Sequence, residues 1–440
     1  MQRVFELLMP RPTRRTVLSW TAAQLLATWS GNQSFAEVLA MNSTQFSSDK
    51  MQRLHDVMAA YVAAGERPGV VTLVSKNGET HVDAIGTQEF GGDALMRRDT
   101  IFRIASITKP IIGAATMRLI EEGKLTLDEP IDRLIPELSK RRVLKRLDGP
   151  IDDTVPAKRP ILVRDLLTMR MGVGAIMAQG NYPIMNALME AGVFVPFSAS
   201  KARNADEWIS KLAAFPLMDQ PGEVWRYDTS ITLLGALIER ATGKSLGNVL
   251  EENIFEPLGM KDTGFMVPAD KLHRLPVCYQ KNQQTGKLEV WDPSGPNSFW
   301  AKTPGFPDAR GGLVSTADDY LAFAQMLLNK GKAGNRQILS AKSVEAMMTD
   351  QIPENVKARS LFIPGFWEQR GWGYAVSIIK KNLPGEPHGI GWDGGYGTCA
   401  YWDPKTGVVV IMLSQRLVEG PTYSEIFQKF FDNIYAAADV

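Results

Sequence analysis

The chain is poor in the residues that build metal and disulfide sites. Across 440 residues it carries two cysteines, Cys278 and Cys399, and four histidines, His55, His81, His273 and His388. Two cysteines give no disulfide framework, and the histidines fall at no metal-ligand spacing, so metal catalysis is not expected. No cofactor fingerprint is present either. Charge of one sign is also missing: Lys and Arg nearly balance Asp and Glu, for a net charge of +1. The densest basic run, "SKRRVLKRL", is followed at once by the acidic "DGPIDD". That neighbour makes it read as a solvated surface loop, and no nucleic-acid partner is expected. Long apolar runs are absent too. The most apolar stretch near the amino terminus, Val17 to Ala27, is too short to span a bilayer, so no stable membrane insertion follows from it.

That short run has a context. In "RPTRRTVLSWTAAQLLATWSGNQSFA", Arg14-Arg15 precede it, and the small residues Ser34 and Ala36 follow. The pattern reads as a twin-arginine export signal within residues 1–40, which implies a periplasmic or secreted enzyme; the alternative is a cytoplasmic protein with Met41 as its true start. The chain as a whole has 44% hydrophobic and 22% charged residues, the composition of an ordinary globular protein with a sizeable core.

Strand signals occur at both ends of the chain and helical signals between them. "GVVTLVSKNGETHVDAIG" alternates around Asn77-Gly78, which predicts a two-residue hairpin turn. "YGTCAYWDPKTGVVVIMLSQ" predicts two more strands, joined at Asp403 to Gly407, before a closing helical pattern, "YSEIFQKFFDNIYAAA". The middle reads as helices: "DEWISKLAAF" follows the cap Asn204, and "ITLLGALIERATG" stops at Gly243. The expected α/β fold is one antiparallel sheet made from both termini and flanked by helices (41–109 with 331–440), with a mostly helical region (110–330) inserted.

One stretch carries chemistry. In "IFRIASITKPIIGAATMRLIEEGKLTLDEP", Ser106 and Lys109 stand three apart at the mouth of an apolar helix, and so share a face. A serine hydroxyl is a poor nucleophile unless a neighbour takes its proton. Lysine can do so only if burial or positive charge lowers its pKa. Ile104, Ala105, Ile107, Ile111 and Ile112 promise burial, and the helix amino terminus adds partial positive charge. The same spacing recurs at Ser47/Lys50, Ser198/Lys201 and Ser377/Lys380, but only Ser106 combines it with an apolar strand-like entry, a long amphipathic helix behind and further motifs downstream. Two other motifs read as structure. "GKSLG" fits a nucleophile elbow, but a helix precedes it where a strand is needed, so Ser245 is a helix cap. Lys405-Thr406-Gly407 lies where a hairpin turn is expected.

The segments "FRIASITK", "PGEVWRYDTSITLLGALIERATGKSLGNVLEENIFEPLGMKDT", "RGGLVSTADDYLAFAQMLL" and "GWDGGYGTCAYWDPKTG" occur in this order. Together they resemble the serine β-lactamase-like superfamily, most closely its carboxylesterase branch (family VIII esterases), with class C β-lactamases behind it. The resemblance runs from about Leu54 to Tyr435. It implies a β-lactamase-like sandwich and a covalent acyl-enzyme. It also implies Ser106 as nucleophile, Lys109 as its proton acceptor and Tyr227 as partner in the base role. The N–H groups of Ser106 and Gly395 would form the oxyanion hole. Trp392-Asp393-Gly394 stands where β-lactamases place Lys-Thr-Gly, and Thr229 stands where many relatives have Asn. These four residues are the expected substrate contacts. A third departure is "LLTMRMGVG", where many relatives have a His-Thr-Ser-Gly segment.

Trp392 cannot supply the cation that holds an antibiotic's carboxylate. The reading is therefore a carboxylesterase acting on short-chain esters, with a small-molecule ester as its partner. The alternatives are a β-lactamase, a D-alanyl-D-alanine carboxypeptidase-like hydrolase, an acyltransferase, or a penicilloyl-binding sensor that acylates and stalls. Oligomeric state is not legible in the sequence.

Overall fold

The computed structural model describes residues 46–195, 202–420 and 424–440. The export signal read from residues 1–40, and the Ser198/Lys201 pair, lie outside them. The first helix, α1 (Ser48–Ala63), leads into β1 (Gly69–Lys76) and β2 (Glu79–Gly86). Asn77 and Gly78 both adopt positive φ, 50° and 88°, as the predicted two-residue turn requires. Next come the two-residue β3 (Phe102–Arg103), the helix α2 (Thr108–Glu121), and α3 (Pro183–Glu190). The helices α4 (Ala205–Ala213), α5 (Thr229–Thr242) and α6 (Leu246–Leu250) follow. β4 (Val314–Ser315) pairs with β3, and α7 (Ala317–Leu328) follows it. The chain closes with β5 (Arg370–Trp372), β6 (Ser377–Ile379), β7 (Ile390–Gly394), β8 (Thr398–Asp403), β9 (Val408–Ser414) and α8 (Glu425–Ala437).

Seven strands form one antiparallel sheet in the order β5-β6-β7-β8-β9-β1-β2, so both ends of the chain build it, as expected. Alternation along its central strands divides two cores. Val70, Val74, Val410 and Met412 face α1 and α8, against Met58, Phe430 and Phe431. Val71, Leu73, Val409 and Ile411 belong to the larger core, which continues into the helical region through Ile111, Leu234 and Phe323. Each such fully buried side chain contributes about 1.5–3 kcal/mol.

The caps agree with the sequence. Asn204 accepts from Glu207 N, and Gly243 ends α5 at φ 67°. Ser245 accepts from Asn248 N at the head of α6, a cap and not an elbow. The basic run differs from its expectation. Arg142–Leu144 is a short strand paired with Thr154–Pro156, Val143 and Leu144 are buried, and Arg141 Nη1 donates to Ala213 O at 2.7 Å. Strand pairing and apolar burial thus fix Arg142–Leu144 within what reads as a solvated loop. Among the described residues, no helix is long and apolar enough to cross a membrane, and no three His, Cys, Asp or Glu residues cluster as a metal site.

Candidate active site

The pairing of β3 with β4 delivers the chain into a single 3₁₀ turn, Ala105–Ile107, that runs directly into α2. Ala105 takes φ 48°, a strained value for a residue with a side chain. The turn leaves Ser106 partly exposed on a cavity, while Ile104, Ile107, Ile111 and Ile112 are buried. Lys109 is fully buried beneath it. Its ammonium donates to Ser106 Oγ at 2.9 Å and to Arg310 O at 2.7 Å, and lies 2.8 Å from Asp228 Oδ1. The Tyr227 ring centroid lies 4.6 Å from Nζ, within cation–π range.

The charge on Lys109 departs from the sequence expectation. Burial alone lowers its pKa, but the Asp228 carboxylate, followed by Tyr227, outweighs burial and holds the pKa above its ordinary value. Burial and helix field were expected to make Lys109 a free amine. The acid directly after Tyr227, which the sequence reading passed over, works against that burial. Burial raises the Asp228 carboxyl, and Lys109 and Arg310 overcome it, so that group sits below the usual range. Arg310 donates to Asp228 Oδ2 at 2.7 Å and to Asp308 Oδ2 at 2.8 Å. Arg310 is a second cation at the site, beside Lys109, and sequence reasoning missed it. Its signal was faint, an Arg before two glycines in "ARGGLVS".

The third segment is the edge of β7. Trp392 pairs with Ala400, Asp393 with Cys399 and Gly394 with Thr398. Trp392 Nε1 donates to Tyr227 Oη at 2.7 Å, which joins the second and third segments directly. Gly394 has to be glycine: a Cβ there would lie 2.0 Å from Thr398 Oγ1 and 2.5 Å from Ile104 O. Thr398 Oγ1 in turn donates to Ile104 O at 3.0 Å, stitching the sheet to the turn that carries Ser106. Gly395 borders the cavity, and its carbonyl accepts from Val418 N at 3.0 Å. Asp393 also borders it and accepts from Tyr401 Oη at 2.9 Å. Thr229 is buried at the head of α5 and is not among the cavity-lining residues. Lys405-Thr406-Gly407 is the turn between β8 and β9, at the opposite end of β8 from Gly394.

Ser106, Tyr227, Trp392 and Gly395 therefore border one cavity of about 740 Å³. One wall is aromatic: Trp392 meets Trp372 edge-on at 4.8 Å and Tyr227 at 5.6 Å, with Phe366 at 6.3 Å. Another carries Met177, Met185 and Met189. Phe299 and Trp300 both line the cavity; Phe299 is 64% exposed and Trp300 buried.

A serine hydroxyl against a buried ammonium, on a β-lactamase fold, defines a β-lactamase-fold serine hydrolase. The chain belongs to the β-lactamase family, whose model (Beta-lactamase) matches residues 54–428. It is 38% identical over 361 residues to Protein Rv1367c of Mycobacterium tuberculosis, covering 80% of this chain and 87% of that protein. It is 28% identical over 402 residues to Esterase EstB of Burkholderia gladioli, covering 87% and 95%. Among solved structures it resembles EstCE1, described as a hydrolase with promiscuous acyltransferase activity. The TM-score is 0.72 at 24% identity, covering 88% of this chain and 98% of that one.

Proposed function

We propose that the protein is a carboxylesterase that cleaves neutral acyl esters through an acyl-Ser106 intermediate. The observation that carries this reading is the 2.9 Å contact of Ser106 Oγ with Lys109 Nζ on an apolar cavity walled by Tyr227 and Trp392. With Lys109 held as an ammonium, Tyr227 working as its phenolate is the group left to take the serine proton. The Oγ–carbon bond forms, the N–H groups of Ser106 and Gly395 hold the oxyanion, and Tyr227 returns the proton to the leaving alcohol. Water then repeats the cycle on the acyl-serine and releases the acid.

Charge supports a neutral substrate. The arginines bordering the cavity each face two carboxylates. Arg310 faces Asp228 and Asp308; Arg370 faces Glu386 at 3.1 Å and Asp393 at 3.8 Å. A penicillin or cephalosporin carboxylate would therefore lack a charge-assisted partner worth roughly 1.5–3 kcal/mol. Acyl transfer is a second reading, favoured by the cavity volume. At about 740 Å³ it lies in the range that holds a drug-sized ligand, leaving room for an acceptor alcohol beside the acyl group.

The test is a series of p-nitrophenyl esters with and without an added alcohol, alongside Lys109→Ala, Tyr227→Phe and the double variant. Each single variant is expected to lose most of the activity, and the pair to be little worse than either alone, because groups that act as one unit are non-additive. Independent, additive losses would mean that Lys109 and Tyr227 do not act as one unit.

A further inference from the structure

Asp228 moves no proton in the scheme above, yet the fold strains to keep it in place. Its backbone sits at φ 94° and ψ −68°, a conformation that costs a non-glycine residue about 1–3 kcal/mol. An aspartate at a helix N-cap ordinarily turns its carboxylate onto the helix's own N–H groups. Asp228 makes no such bond. Its two oxygens go instead to Lys109 Nζ at 2.8 Å and to Arg310 Nη1 at 2.7 Å. Glycine would relieve the backbone, and asparagine tolerates positive φ about as well as aspartate. Conformation alone therefore does not call for aspartate, and its charge is what distinguishes it.

We propose that Asp228 is a positioning residue that keeps Lys109 an ammonium aimed at Ser106, so that the serine proton passes to Tyr227 and not to a lysine amine. The proposal rests on the ester-hydrolase reading. The groups that face Lys109 come from each element packed on it. Ser106 comes from its own turn, and Tyr227 and Asp228 from the segment before α5. The Arg310 carbonyl comes from the loop before β4, with the Arg310 guanidinium and Asp308 behind Asp228. Without the Asp228 charge, Lys109 Nζ is left against the neutral acceptors Ser106 Oγ and Arg310 O and the Tyr227 ring. Burial then prevails and the ammonium is lost more easily.

The experiment is the pH profile of kcat/KM for Asp228→Asn on a neutral p-nitrophenyl ester, with wild type measured in parallel. The alkaline limb is expected to fall to lower pH by about 1 or more, a roughly tenfold loss at a fixed alkaline pH, with KM little changed. An unmoved profile overturns the proposal. So does an acid limb that moves down with activity retained, since that is the signature of a lysine base. If Asp228→Asn does not fold, the wild-type chain still decides: ¹⁵Nζ-lysine NMR reads Lys109 directly, its signal identified by its loss in Lys109→Met. An ammonium signal at pH 8 is expected, and a neutral amine there overturns the proposal. The NMR reading does not depend on turnover. A wild type that hydrolyses no ester would sink the esterase reading alone.

Discussion

Ser106 and Ser245 both sit in serine motifs, and their surroundings separate them. Ser106 meets a buried ammonium at 2.9 Å, whereas Ser245 accepts from Asn248 N as a helix cap. Ser106→Ala is expected to abolish ester turnover with the fold intact, and Ser245→Ala to cost about 1 kcal/mol of stability and no activity. Mass spectrometry after fluorophosphonate treatment checks this, and an adduct on Ser245 would reverse the assignment. Asp228 makes a second prediction, on stability. Its carboxyl sits below the ordinary range, so its contribution is complete above the unfolded value of about 3.9 and is lost as pH falls through the folded value. Lys109 sits above its ordinary range, so its contribution is complete below about 10.4 and is lost only as pH rises beyond that. The Tm advantage of wild type over Asp228→Asn should therefore hold between about pH 5 and 9 and shrink below about pH 4. A gap that widens in acid would mean that the carboxylate is not stabilised by its partners. None of this charge arrangement was legible in sequence. Burial of Lys109 follows from its isoleucine neighbours, but its charge is set by residues 119 and 201 positions away, Asp228 and Arg310.

The edge of β7 and the loop before α7 hold the cavity in register with α2. Gly394→Ala would place a methyl 2.0 Å from Thr398 Oγ1 and 2.5 Å from Ile104 O. It is expected to push β7 off the nucleophile turn, with a loss of kcat larger than any change in KM, measurable by steady-state kinetics alongside circular dichroism. Retained kcat would show that the turn does not depend on this contact. The opposite wall depends on Asp292, fully buried. It pairs with Arg103 through Nε at 2.7 Å, accepts from Ser298 Oγ at 2.7 Å and accepts from Phe299 N at 2.8 Å. Asp292→Ala leaves Arg103 buried without its partner, a change that typically costs about 3–5 kcal/mol. It should lower Tm markedly and release Phe299 and Trp300 from the cavity. A Tm within 1–2 °C of wild type would contradict this account. The hairpin at Asn77-Gly78, the cap at Asn204 and the stop at Gly243 were legible because turn and cap chemistry is local. The Arg103–Asp292 clamp was not, because nothing in either segment names the other.

Across the whole molecule, the aromatic wall and the paired arginines predict substrate choice. Neutral esters with acyl chains of about two to six carbons are expected to exceed cephalosporins in kcat/KM by at least an order of magnitude, with benzylpenicillin near background. Measuring all three on one preparation checks it, and a cephalosporin that matches the best ester would require an unpaired cation at the carboxylate subsite. The order of the motifs, the strands at both termini, the helix behind Ser106 and the Ser106–Lys109 spacing are determined by the sequence itself. Each depends on hydrophobic period, turn residues or positions within one helical turn. Only the tertiary structure decided that Trp392 donates to Tyr227, that Phe299 and Trp300 line the cavity and that Asp228 holds the Lys109 charge. Those are contacts between distant segments in a low-dielectric interior, where the balance of burial against a neighbouring charge turns on a few ångströms that no local pattern encodes.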